Sequence, residues 1–280
     1  MTAYTGFVDN SVEVYATYAL LDLIKQKAEL NGWTTLRYDV TSANRELILK
    51  GVGLSGTEEI YIGFRCYQST GADYYNMTAA VFTAYIAGNT FSTQPGVALS
   101  AFPCHNLRID YWLAVNAQRI TAGLKVGTPV YVTFYAGKFL PYTLPTQWPY
   151  PVAVGGMFLS EPATRFSDTS YSIPYKGNRS NMQMRGIDGT YSSPYAWPWT
   201  AGEYLTSTGQ LRETGTIYTL QPVVLHNNAG TLHGELDGVF HVSGFQQGVE
   251  NTLLIDGVNY VVMQDVYRTG FSDYFAIRMN

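Results

Sequence analysis

LRIDYWLAVNAQRITAGLKVGTPVYVTFY, residues 107–135, decides the fold. Three runs rich in Val, Ile, Thr, Tyr and Phe are separated by Asn116-Ala117-Gln118 and by Gly127-Thr128. β-Branched and aromatic side chains pack well on a pleated, half-buried surface, whereas Gly, Asn and Pro mark turns. The stretch predicts strands over 107–115, 119–126 and 129–135.

The same texture extends in both directions. Upstream it predicts strands at 34–40, 46–51, 59–67 and 78–86. Downstream it predicts them at 216–224, 238–243, 252–255, 260–267 and 274–279, with Asp256-Gly257 as a hairpin turn. One helix is expected near residues 11–31. Asn10 or Ser11 would cap it, Val14, Ala16, Tyr18, Leu20, Leu21, Leu23, Ile24 and Leu30 would supply its apolar stripe, and Asn31-Gly32 would stop it. The expected class is mainly β: antiparallel sandwich or barrel-like strands, one N-terminal α-helix and a long Pro/aromatic-rich irregular region.

That irregular region runs from Gly137 to Trp199, where Pro141, Pro145, Pro149, Pro151, Pro162, Pro174, Pro194 and Pro198 remove backbone donors. Loops this long usually serve a function or are ordered by a partner. A boundary near residue 155 would leave a helix-plus-β domain at 1–155 and a β-rich part at 156–280. A sheet running through both would make them one domain.

Hydrophobic residues are 46% of the 280 and charged residues only 14%, against a typical charged share of about 25%. The surface must therefore be largely uncharged polar and aromatic, which favours a protein in lasting contact with others. The 23 tyrosines suit interfaces, and they suit strands equally. A net charge of −4 lacks the basic footprint of a nucleic-acid binder, so no nucleic-acid contact is expected. No apolar run reaches membrane-spanning length, and the first residues lack a basic-then-apolar signal. The expectation is no membrane and synthesis in the cytoplasm.

Chemistry-bearing patterns are weak. Cys66 and Cys104 have no ligand spacing and read as reduced core thiols. Cys104-His105 pairs a nucleophile with a base in sequence, but adjacent strand residues point to opposite faces. His226, His233 and His241 form no metal motif with it. Glu58-Glu59 and Glu235 with Asp237 could do acid–base work on glycans, yet they sit in turn-like contexts where solubility explains them. No catalytic, cofactor-binding or metal-binding residue is assigned, and no enzyme activity is expected.

Residues 135–156 carry a Y-x-G-x-x-L-P-Y-x-x-P-x-x-x-P-Y-P signature within the longer stretch 119–156. A second stretch joins Gly238-Val-Phe-His-Val-Ser-Gly-Phe to residues 254–270. In these the chain resembles a family of virion structural proteins of tailed phages and prophages. The resemblance implies a place in the particle, in the tail or baseplate more than the capsid, after assembly in the host bacterial cytoplasm. The expected function is a non-enzymatic structural component forming a symmetric ring, a hexamer or trimer, in the tail, baseplate or neck against neighbouring tail proteins. The alternative is a host-receptor or glycan-binding tail adhesin, with a glycan-cleaving tail enzyme less favoured. The signature's prolines hold the chain extended, and Tyr135, Phe139, Tyr142, Trp148 and Tyr150 are candidate interface anchors. The segment 139–155 either docks on a neighbouring subunit or is a strap across its own sheet.

Overall fold

The computed structural model describes residues 1–144, 146–148, 150–176, 181–200, 219–227 and 229–280. Strand accounts for 46% of the chain and helix for 7%, so the protein is mainly β. In chain order the elements begin β1 (Thr2–Asp9), α1 (Ala16–Leu30), β2 (Thr34–Asp39), β3 (Glu46–Gly51), β4 (Ile60–Ser69), β5 (Tyr74–Phe82) and β6 (Ala98–Pro103). They continue with β7 (Arg108–Val115), β8 (Arg119–Lys125), β9 (Tyr131–Lys138), β10 (Leu140–Pro141), β11 (Val152–Gly155), β12 (Met182–Arg185) and β13 (Tyr191–Ser192). The last are β14 (Tyr195–Trp197), β15 (Gln221–His226), β16 (Leu232–His241), β17 (Thr252–Ile255), β18 (Val258–Gln264) and β19 (Tyr274–Arg278).

Among the described residues these form three antiparallel sheets. The first has the order β1-β7-β8-β9-β11-β12-β13, the second β14-β15-β16-β19-β18-β17 with β10 added on β16, and the third β2-β3-β4-β5-β6. The first is the central layer. Strand alternation puts Tyr4, Leu113, Ala122 and Phe134 in one row of its register. There Phe134 stacks on Phe102 at 4.8 Å and meets Phe64 edge-on at 5.4 Å, joining the first sheet to the third. The opposite face meets the second sheet. Gly123 lies so close beneath Met263 that a Cβ would stand 2.4 Å from its terminal methyl, so any larger residue would require the Met263 side chain to move.

The helix starts later than the sequence predicts. Asn10 gives its N–H to the Leu107 carbonyl and so extends the β1–β7 ladder, while Ser11 donates to the Asp9 carboxylate. Neither caps α1, whose N-cap is Tyr15 with no side-chain cap. The buried stripe Ala16, Leu20, Leu21, Ile24 and Ala28 holds the helix on the sheets. The sequence predicts neither strand β1 ahead of it nor β6.

The proline-rich region is less irregular than expected. β10 to β14 lie within it, and Pro141 is tolerated because β10 pairs on one side only, with β16. Pairing crosses residue 155, through Ala153↔Met184 and Leu140↔Glu235. Residues 216–218 of the expected strand at 216–224 lie outside the described residues, as do Pro145 and Pro149, and β15 covers the rest from Gln221. The Asp256-Gly257 hairpin is present, with φ of 51° and 77° between paired Ile255 and Val258. Among the described residues no helix is long and apolar enough to cross a membrane.

Candidate interaction site

The signature segment is anchored at both ends before it reaches the surface. β9 and β10 lead into it and β11 leads out, so the described residues 142–144, 146–148 and 150–151 lie between two paired strands. Its anchor residues divide into two groups. Tyr135 is fully buried; its hydroxyl donates to the Lys138 carbonyl at 2.6 Å and accepts from the Asp237 N–H at 3.3 Å. Burial pushes that hydroxyl far above the usual tyrosine range. Phe139 is also buried and meets the Trp148 ring edge-on at 5.2 Å. Trp148, 2% exposed, donates its indole N–H to the Arg185 carbonyl at 3.0 Å and packs edge-on to His233 at 5.7 Å. These three anchors fill the chain's own interior.

Tyr142 and Tyr150 differ. Tyr142 is 53% exposed and tied by its backbone N–H to the His233 carbonyl, and nearby Leu144 is 65% exposed. Tyr150 is half-buried beneath the Arg185 guanidinium, 5.1 Å from its ring. The segment thus presents Tyr142, Leu144 and one face of Tyr150 from a rigid base.

Beside it lies an open groove of about 580 Å³ that includes His233, Tyr191, Tyr195 and His226. Tyr195 stacks on His226 at 5.4 Å. Both His226 nitrogens are engaged, Nε2 with Thr200 Oγ1 and Nδ1 with the Asn227 carbonyl, which fixes the ring. Burial, and then the neighbouring His226, hold His233 below the ordinary histidine range. The groove's chemistry is aromatic faces with fixed polar edges.

The remaining chemical candidates occupy structural positions. Burial raises the Cys66 thiol and, with Cys66 beside it, the Cys104 thiol, so neither supplies a thiolate. The His105 ring lies on Phe166 at 4.5 Å and accepts the Leu107 N–H. Glu58 pairs with Lys138 and Glu59 with Lys50. Asp237 accepts from Asn116 and Gln118 and faces the buried Arg119, whose Nε lies 3.4 Å away. Among the described residues no three His, Cys, Asp or Glu side chains gather where they could hold a metal ion.

Two charged clusters escaped sequence reasoning. Arg119 is fully buried and its guanidinium also donates to the Ala114 carbonyl, linking β7 and β8 to β16. Asp265, also buried, accepts from the Ile173 N–H, the Ser172 hydroxyl and the Lys176 ammonium, with Arg268 at 3.3 Å. It pins residues 172–176 to the second sheet. No local motif marks either position. No protein-family model matches the chain, and no curated protein matches it.

Proposed function

We propose that this chain is a non-enzymatic structural protein of a tailed-phage virion, assembling as a ring component of the tail, baseplate or neck. The observation that carries the proposal is the exposure of Tyr142 and Leu144 just beyond the paired strand β10, with buried Trp148 holding the same segment against the core, so that tyrosine and leucine are offered without charge. Rigid aromatic residues bury large areas at little entropic loss, and interface hot spots are enriched in them. The occupied state of the carboxylates at 58, 59 and 237, all paired internally, accords with a scaffold more than with a hydrolase. The resemblance at 119–156 and 238–270 supplies the particle.

Tyr142→Ala and Tyr150→Ala, singly and together, test the proposal in an infection complemented with the variant gene. Incorporation into particles should fall, while Tyr142→Ala melts as the wild type does and Tyr150→Ala, which loses its contact with Arg185, only slightly below it. Normal incorporation of the double variant would remove the segment from the account. The groove at Tyr195 and His226 favours a second reading, a glycan-binding adhesin, because stacked faces beside fixed polar atoms suit a sugar ring. Titration of the purified protein with host surface polysaccharide separates the two.

A further inference from the structure

β1 is the edge of the central sheet, and among the described residues its outer side is open. Asn10 donates to the Leu107 carbonyl, so 10 and 107 form a hydrogen-bonded pair, and such pairs alternate along an antiparallel ladder. On the far side of β7, Asn116 donates to the Arg119 carbonyl, which sets the same alternation. The even residues of β1 therefore bond to β7. The N–H and C=O groups of Ala3, Thr5 and Phe7 point outward, and among the described residues they have no partner.

Sheet edges are ordinarily blunted by brevity, charge, proline, bulges or cover. The other edges here follow that rule. β13, β14 and β17 have 2, 3 and 4 residues. β2 carries Arg37 and Asp39 and a register shift between Thr35 and Arg37. β6 is covered where Ala101 pairs with Phe158. Among the described residues β1 alone is long and bare: eight residues, no proline, no lysine, and one charge, Asp9, at its end. Phe7 is 52% exposed upon it.

We propose that this edge pairs with β1 of a second copy of the chain, antiparallel about a two-fold axis through Thr5. The outward positions are self-complementary in that register. Thr5 falls opposite the partner's Thr5, and exposed Phe7 falls opposite the partner's Ala3, a large side chain against a small one. The two Asp9 carboxylates stand about 27 Å apart along the paired strands, well beyond the screening length of about 10 Å. No like charges oppose the pairing. A single shared strand edge is at the small end of protein interfaces, so the pair should form with a Kd of the order of micromolar. The contact is isologous and so distinct from the head-to-tail contacts that close a ring; its setting is the free subunit, where an unpaired edge invites mispairing.

Sedimentation velocity of the full chain tests it. The wild type should pass from monomer to dimer as concentration rises through the micromolar range. Thr5→Pro removes an outward N–H but no bond to β7, so it should stay folded and weaken the dimer about tenfold or more. Phe7→Lys, a charge on the same edge, should do likewise and decides the matter if the proline variant misfolds. Hydrogen exchange should show the Thr5 and Phe7 amides protected at high wild-type concentration and exposed in Phe7→Lys. A wild type that remains monomeric, an unweakened dimer in both variants, or association that continues past the dimer would overturn the proposal.

Discussion

Trp148→Ala separates a core strap from a docking residue. Trp148 is 2% exposed, closes on Phe139 and His233, and bonds the Arg185 carbonyl. Truncating a buried Trp costs about 3–5 kcal/mol through lost transfer energy and the cavity left behind. The two aromatic contacts and the orphaned carbonyl fall inside that range, because such terms are not additive. At roughly 2–4 °C per kcal/mol for a chain of this size, the melting temperature should drop by about 10 °C. Trp148→Phe keeps most of the packing and loses the indole N–H, so its loss should be about 1–2 kcal/mol. The assay is thermal and urea unfolding of purified wild type, Trp148→Ala, Trp148→Phe and Tyr142→Ala. Tyr142→Ala, at an exposed site, should lie within about 0.5 kcal/mol of wild type. If Trp148→Ala melts with the wild type, the ring does not sit in the core and the reasoning fails.

Three further outcomes follow from buried groups. Burial lowers His241 from 6.5 to about 4, so the fold holds it neutral and unfolding takes up a proton. Its contribution, about 3 kcal/mol, is complete above pH about 6.5 and lost as pH falls to about 4; in urea titrations across that window His241→Gln should remove this part of the slope. Cys66 and Cys104 are both buried and free, so an aromatic disulfide reagent should modify neither in the native protein and both in urea, and rapid native labelling would contradict their placement. Asp237→Ala leaves the buried Arg119 guanidinium uncompensated and frees Asn116 and Gln118, and unfolding measurements should show a loss of about 3–5 kcal/mol.

The strands at 107–135 were legible because their β-branched and aromatic runs are long and their turns carry Gly, Asn and Pro. The hairpin at 256–257 was legible because Asp-Gly accepts positive φ at both positions. β1 was not, since Asp9-Asn10-Ser11 looks like a helix cap, and only the distant Leu107 carbonyl draws Asn10 into a ladder. The division of the signature aromatics was equally hidden. Prolines about every four residues impose no inside–outside period, so nothing in the sequence separates buried Phe139 and Trp148 from exposed Tyr142. Arg119 opens a strand, where a long cation is expected to reach water, and it is buried because β16 brings Asp237 to it. Such pairings between remote residues leave no local trace.

The central claim, a structural protein of a tailed-phage particle, is tested most directly by quantitative mass spectrometry of purified virions. The chain should co-purify with the particles at about three to twelve copies each, in a multiple of three if the ring is a trimer or hexamer. Absence from the particles, or a count in the hundreds, would contradict it.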